Sequence, residues 1–444
     1  MAESDDKLPP QGKFQRFRKL AGLSATVGSD LLGRGMKRLV GVDAPSISQG
    51  TAQKLVATLG DLKGAAMKLG QMASMDADLL PPEVRVVLAR LQNEAPPMGW
   101  EVVARTLDEE LGAPPERLFA EIDHTPLAAA SLGQVHKARL KDGRLVAVKV
   151  QYPGMAEALT SDLDNVGSLV KAVSFASKSL DGRAYFHELR AQMALELDYR
   201  REAKLCGVFA AAAAPFEDLR VPQVVERLSA GKVLTLELLE GPTLKSFLVS
   251  EPQASNEERF RVSAQLIRAI YGPFLATGAM HADPHPGNFL VMPDGKLGVL
   301  DFGAVKELSD GFVRPHRRLF GDYLHGREYD LLEHLRDLGF EVDLDPEQTR
   351  ELMTGFLTIH RRPLAGPSYD YASDEIVKAT RKLFTEHAGQ FLKLRPPAEA
   401  VLFVRSAGGL AQNLKLLGAE GNFRQVYAEL VDTVEATLTA AATG

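Results

Sequence analysis

Cysteine is almost absent from this 444-residue chain. Only Cys206 is present, which excludes an internal disulfide and a zinc site built on cysteines, and suits a reducing compartment. Long apolar runs are missing too. No stretch reaches the roughly 18 apolar residues that a membrane-spanning helix needs. The closest, Leu205 to Phe216, is short and alanine-rich and reads as a buried helix. The first residues, MAESDDKLPPQGK, begin acidic and carry no apolar core, so no secretory signal is expected there. No tail anchor is expected in Gln425 to Gly444, where acidic residues give way to small ones. An excess of either charge is lacking as well: a net charge of −6 exerts no overall pull toward nucleic acid or anionic membrane, and no nucleic-acid partner is expected. What remains is the composition of a globular protein, 45% hydrophobic and 25% charged, long enough for two domains or one two-lobed domain with an extension.

Residues 13–40 form a basic amphipathic segment in which Phe14, Phe17, Leu20 and Leu23 recur at near-helical spacing among Arg16, Arg18 and Lys19. Two readings stand: a helix for a membrane surface or partner, and an ordinary helix packed on the domain. Residues 50–95 read as helical, with Pro81 and Pro82 ending one helix and opening the next, and Trp100 to Leu111 predicts another, closed by Gly112. The period then changes. Two β-rich runs flank Lys141-Asp142-Gly143, the Asp-Gly turn of a hairpin. Helical composition returns over 156–215. Two strands are expected in VPQVVERLSAGKVLTLELLEG, helices from Glu257 to about Thr277, a hairpin in FLVMPDGKLGVLDFG, and mostly helix over 310–440.

The chemistry-bearing residues sit at the joints of this pattern. Lys149 closes the apolar strand Val146-Ala147-Val148-Lys149, where a buried ammonium needs an anionic partner such as a nucleotide phosphate. Upstream, Ala128-Ala129-Ala130-Ser131-Leu132-Gly133-Gln134-Val135 overlays the spacing of a kinase phosphate loop, G-x-G-x-x-G-x-V. Gly133 and Val135 match, whereas Ala128 and Ala130 replace the first two glycines and narrow the loop's conformations. The plain alternative is an alanine-rich turn. In His281-Ala282-Asp283-Pro284-His285-Pro286-Gly287-Asn288, Asp283 and Asn288 have the Asp-to-Asn spacing of the kinase catalytic loop. Asp283 would orient the attacking hydroxyl or water, and Asn288 would help hold Mg²⁺. An HxDxH metal site is the rival reading. Asp301, in Leu300-Asp301-Phe302-Gly303 at the end of an apolar strand, is placed to chelate Mg²⁺ bridging the phosphates. Lys149 needs a helical carboxylate; Glu202 is the first candidate and Glu196 the second, against a merely solvated helix face. Between the lobes, the backbone of Glu237 and Leu239 is placed to meet adenine, although Leu239 reads equally well as core. Together with Ala147 these residues predict an ATP site.

The chain resembles the UbiB (AarF-type) branch of the protein-kinase-like superfamily over residues 55 to 310. Lys68-Leu69-Gly70-Gln71 matches that family's KxGQ motif, Glu196-Leu197-Asp198 its ExD motif, and the alanine loop its replacement of the glycine loop. The resemblance implies an α+β kinase-like fold, with a β-rich N-lobe over 116–241, a helical C-lobe over 242–440, a KxGQ extension over 50–115 and an amphipathic segment over 1–49. It implies that the KxGQ helix folds across the nucleotide cleft, with Lys68 and Gln71 facing the phosphates or the ExD carboxylates, Asp198 included. Activity is expected to be Mg-ATP-dependent ATPase or small-molecule kinase chemistry supporting quinone biosynthesis or isoprenoid-lipid handling, with ATP and ADP as ligands and a quinone precursor or lipid as partner. The alternatives are a lipid or small-molecule kinase, which the likeness of HADPHPGN to the loop of aminoglycoside and choline kinases suggests, and a nucleotide-gated scaffold. Hydrophobic terminal helices, common in the family, are not seen. A cytoplasmic protein is expected, with peripheral membrane contact through residues 13–40.

Overall fold

The computed structural model describes residues 98–130, 132–154, 197–373 and 375–443. They fall into two compact units, one from the chain up to Arg200 with Val225–Thr235, the other from Arg201–Val224 and Leu236–Gly444. The readings for residues 13–40, for the helices of 50–95 and for 156–196 lie outside the described residues, as do Lys68, Gln71, Ser131 and Glu196.

The first unit begins with α1 (Trp100–Leu111), whose Val103, Thr106 and Leu107 share a buried face. Strands β1 (Glu121–Ile122), β2 (Ala128–Ala130), β3 (Gly133–Arg139), β4 (Leu145–Gln151) and β5 (Val233–Glu237) form one sheet ordered β1–β3–β4–β5, with β2 also on β3. The Asp142-Gly143 turn forms as its sequence dictates. Leu140 and Arg144 pair across it at 2.8 Å, and the Asp142 carboxylate accepts from the Arg144 N–H at 3.1 Å. Strand alternation sends Val146, Val148 and Val150 into a core with Val103 and Leu107, each valine contributing about 1.5–3 kcal/mol by burial. Ala147 and Lys149 fall on the opposite face.

One expected strand is lost. Val224 makes only an isolated bridge to Leu236, and Glu226–Leu228 coils into a 3₁₀ turn. Side chains there take over backbone partners: the Thr235 hydroxyl donates to the Leu228 carbonyl at 2.6 Å, and Ser229 Oγ accepts the Thr235 N–H.

The second unit takes up the helix α2 (Tyr199–Ala213) from Arg201 onward and is built around α3 (Asn256–Thr277). The Ser255 side chain caps α3 by accepting the Glu258 N–H. Then come β6 (Ala279–His281), the hairpin β7 (Phe289–Val291) and β8 (Leu297–Val299), and β9 (Val305–Glu307). Helices α4 (Asp310–Leu324), α5 (Leu331–Asp337), α6 (Pro346–His360), α7 (Ala398–Leu417) and α8 (Phe423–Thr443) follow. α3 is buried along most of its length, packed by α4, α7 and α8. β6 pairs antiparallel with β9, His281 opposite Val305, while Phe289 pairs with Val299. Both pairings bring the 282–288 loop and the 300–304 loop to the same end of these strands.

Candidate functional site

The two loops are joined by hydrogen bonds. The Leu300 N–H donates to the Asn288 carbonyl at 2.8 Å, and His281 Nε2 donates to the Leu300 carbonyl at 3.1 Å. Asn288 Nδ2 donates to the Asp283 carbonyl at 3.0 Å and lies 3.4 Å from the Asp283 carboxylate. These contacts commit the amide nitrogen of Asn288. Asp301 is the one non-glycine residue with positive φ (58°) among the described residues, and its carboxylate accepts the Gly303 N–H at 3.3 Å. Aspartate tolerates this conformation because its short side chain bonds its own backbone, and the strain is of the kind held at working sites. A carboxylate and an amide oxygen on adjoining loops are hard oxygen donors, which suit Mg²⁺.

Among the described residues, His281, Asp283 and His285 do not gather into a cluster that could hold a metal ion. His281 is fully buried, edge-on to Phe209 and Phe302, with Nε2 spent on Leu300. His285 Nδ1 accepts the Gly287 N–H at 3.1 Å. Both histidines shape the loop.

α7 contributes residues that the sequence did not disclose. Ser406 Oγ donates to the His281 carbonyl at 2.8 Å, and Asn413 Nδ2 donates to the Pro284 carbonyl at 2.6 Å, both from fully buried side chains. Between them, a Cβ on Gly409 would collide with the Pro284 ring. Positions 406, 409 and 413 share one helix face, so α7 clamps the loop carrying Asp283 from both sides. The small-residue run Ser406-Ala407-Gly408-Gly409 is the only signal the sequence carries, and it lacks a partner until the fold supplies one.

α2 lies against the other loop. Arg201 donates to the carbonyls of Gly303 at 3.2 Å and Val305 at 3.4 Å. Glu202 is buried, and a Cβ on Gly303 would lie 3.7 Å from its carboxylate. Burial first, then the Glu202 charge, pushes the Cys206 thiol up to about 12, so the lone cysteine is an unreactive core residue.

In the first unit the alanine loop is a tight hairpin, Ala130 opposite Gly133, with Ala128 and Ala129 exposed. Gly133 is required sterically, since a Cβ there would strike the Val150 carbonyl. Val135 stands directly opposite Lys149, on the sheet face shared with Ala147. Lys149 Nζ lies 4.8 Å from the centre of the Tyr199 ring, a cation–π contact that orients the ammonium. The Gln151 side chain donates to the Leu197 carbonyl at 3.0 Å, tying β4 to the residues around Asp198. Asp198 itself is exposed and accepts the Arg200 N–H at 3.0 Å, opening α2.

Gln134 points the other way. Its side chain is buried, accepting the Met98 N–H at 2.9 Å and donating to His136. His136 Nδ1 donates to the Asp123 carbonyl, which leaves Nε2 to accept from Gln134; burial lowers the His136 pKa and keeps the ring neutral. Only the backbone of Gln134 is left for a ligand. Near the second unit's start, the Glu237 N–H is spent on the Gln223 carbonyl and its carboxylate on Arg220 and the Gln223 N–H, while Leu239 packs on Gly298.

A sheet-built unit with an alanine hairpin and a strand-terminal lysine, and a helical unit with Asp283, Asn288 and Asp301 on adjoining loops, define a protein-kinase-like fold. The chain belongs to the ABC1 atypical kinase-like domain family, whose model matches residues 90–334. It is 32% identical over 429 residues to the mitochondrial atypical kinase coq-8 of Caenorhabditis elegans, covering 94% of this chain and 56% of that protein. It is 31% identical over 406 residues to the mitochondrial atypical kinase COQ8B of Rattus norvegicus, covering 89% and 76%. A Mycobacterium tuberculosis protein solved in complex with erythromycin matches with a TM-score of 0.59 and 31% identity, covering 86% of this chain and 96% of that one. The chain thus spans just over half the length of the nematode relative. Among the described residues no helix is long and apolar enough to cross a membrane.

Proposed function

We propose that this protein binds Mg-ATP and hydrolyses it, as an atypical kinase-like ATPase supporting quinone (ubiquinone) biosynthesis or isoprenoid-lipid handling. The observation that carries the reading is the Asp283–Asn288 contact on one loop with Asp301 on the loop hydrogen-bonded to it. Asn288 and Asp301 would hold Mg²⁺, which when bound neutralises charge on the phosphate oxygens. Asp283 orients a water for in-line attack and accepts its proton. Lys149, held by the Tyr199 ring, meets the phosphates as a point charge. Glu202, Glu196 and Asp198 are the acidic partners assigned to the lysines, and Lys68 with Gln71 comes from the family motif. The alanine loop leaves less conformational room above the phosphates than a glycine loop, which disfavours transfer to a bulky protein. The quinone assignment follows from the resemblance to UbiB and from the likeness to the coq-8 and COQ8B kinases. Those relatives are named mitochondrial; for this chain a soluble protein touching membranes peripherally through residues 13–40 is proposed.

A second reading, phosphorylation of a small-molecule hydroxyl, is favoured by one observation: the similar mycobacterial protein was solved with erythromycin. One experiment separates the readings. Mg²⁺-dependent release of phosphate from ATP is measured with and without anionic liposomes, beside Asp301→Asn, and lipid and metabolite acceptors are screened for incorporated phosphate. Free phosphate that depends on Asp301 and rises with liposomes supports the ATPase. Phosphate appearing only on an acceptor supports the small-molecule kinase, and nucleotide binding with neither product leaves a scaffold. Cells lacking the protein should regain quinone with the wild type and not with Asp301→Asn; normal quinone without it removes that assignment.

A further inference from the structure

Several arginines of the helical unit have acceptors. Arg317 donates to the Leu275 carbonyl at 2.8 Å, Arg318 to Asp337 at 2.6 Å, Arg327 to Asp322 at 2.7 Å and Arg424 to the Leu324 carbonyl at 2.7 Å. Arg361, at the end of α6, is held by its faces alone: its guanidinium carbon lies 4.1 Å from the Tyr323 ring centre and 5.0 Å from that of Tyr329. Its Nη2 is buried without an acceptor among the described residues. Aromatic stacking satisfies the faces of a guanidinium and leaves the N–H edge unanswered, and that edge is a planar fork matched to two oxygens of a carboxylate or phosphate.

The same guanidinium lines a cavity of about 560 Å³, within the range of small-molecule sites. One wall is a single face of α6, where Arg350, Thr354, Leu357 and Thr358 lead at helical spacing to Arg361. The other wall is the segment from Glu328 to Leu331 between α4 and α5. The cavity also carries two carboxylates, Asp330 and Glu328. Asp330 is committed to capping α5, accepting the N–H groups of Leu332 at 2.8 Å and Glu333 at 3.3 Å, and Glu328 is exposed. Beside these acids the cavity offers the unanswered edge of Arg361, the exposed Arg350, two hydroxyls and the apolar Leu331 and Leu357.

We propose that this cavity binds a phosphate monoester with a short apolar body, the phosphate on Arg361 and Arg350 and the body against Leu331 and Leu357. A free metabolite and a lipid headgroup share this chemistry. Nothing in the proposal depends on ATP hydrolysis.

The test uses the full chain, with Mg-ADP present throughout to occupy the nucleotide site. Hexyl phosphate, inorganic phosphate and hexanol are titrated calorimetrically, and co-sedimentation is measured with phosphatidylcholine vesicles with and without phosphatidic acid. Hexyl phosphate should bind one to one, more tightly than either fragment. Binding should weaken at least tenfold in Arg361→Gln, in Arg350→Gln, and in Thr354→Trp, which fills the cavity and keeps both arginines. Arg350 and Thr354 are exposed, so these two variants keep the test valid if Arg361→Gln does not fold. Sedimentation that depends on phosphatidic acid and on Arg350, without hexyl phosphate binding, assigns the site to a lipid headgroup. Absence of both interactions in the wild type overturns the proposal, as does binding that persists in Arg350→Gln and Thr354→Trp.

Discussion

The role proposed for Asp283 holds only as far as its loop stays in place, and the atoms that hold the loop are two carbonyls. Ser406 and Asn413 each donate one buried hydrogen bond to them. Removing such a donor leaves a buried acceptor unmade at about 1–3 kcal/mol. Ser406→Ala and Asn413→Ala should therefore each lower kcat for ATP hydrolysis about fivefold or more while KM for ATP stays near the wild type, and Ser406→Thr, which keeps the hydroxyl, should restore much of the rate. Steady-state kinetics on the three variants decides it; a change in KM alone would make α7 a binding element. His281 belongs to the same account. A histidine beside a proposed catalytic aspartate invites a metal or proton-transfer role, yet its burial and its bond to Leu300 make it a fastener.

For elements, the alanine hairpin is the sharpest case. β2 and β3 close between Ala130 and Gly133, so the loop is short and its conformations few. Glycine at position 130 widens the accessible backbone and loosens the turn. Ala130→Gly should change nucleotide affinity and allow autophosphorylation, measured by nucleotide titration and by phosphate incorporated into the protein. If both stay at wild-type level, the alanines do not set the nucleotide pose. Helices and hairpins with strong local signals were legible beforehand: α1 with its closing glycine, the Asp142-Gly143 hairpin, α3, and the hairpin leading to Asp301. The strand expected around Val224 was not, because Ser229 and Thr235 divert the backbone bonds that would have built it.

At the scale of the whole molecule, stability should report on a histidine buried in an aromatic cluster. His316 on α4 packs on Phe312, Phe403 and Phe274 with ring centres 4.4, 4.5 and 5.6 Å away, and Nδ1 donates to the Phe312 carbonyl. Its pKa is lowered to about 4, burial being the largest cause and His334 acting in the same sense, while the Phe312 hydrogen bond and Glu399 act in the opposite one. The folded state thus resists a proton that the unfolded chain accepts near pH 6.5. This contribution is fully present above that pH and is lost as pH falls toward 4, by about 3 kcal/mol. Urea denaturation from pH 7 to pH 4 should show the loss, and His316→Leu should remove that part of the slope. An unchanged slope would mean the ring is protonated or solvated in the folded protein.

The sequence by itself placed the proposed site residues, Lys149, Asp283, Asn288 and Asp301, at strand ends and in tight loops, because those are written in local spacing and the motifs are only a few residues long. Its single cysteine also excluded an internal disulfide. Only the tertiary structure decided that Gln134 turns inward to His136, that each loop histidine bonds a backbone group through one ring nitrogen, and that α7 grips a loop 125 residues earlier in the chain. Those outcomes depend on which carbonyl meets which donor when distant segments pack, and no local period encodes that meeting.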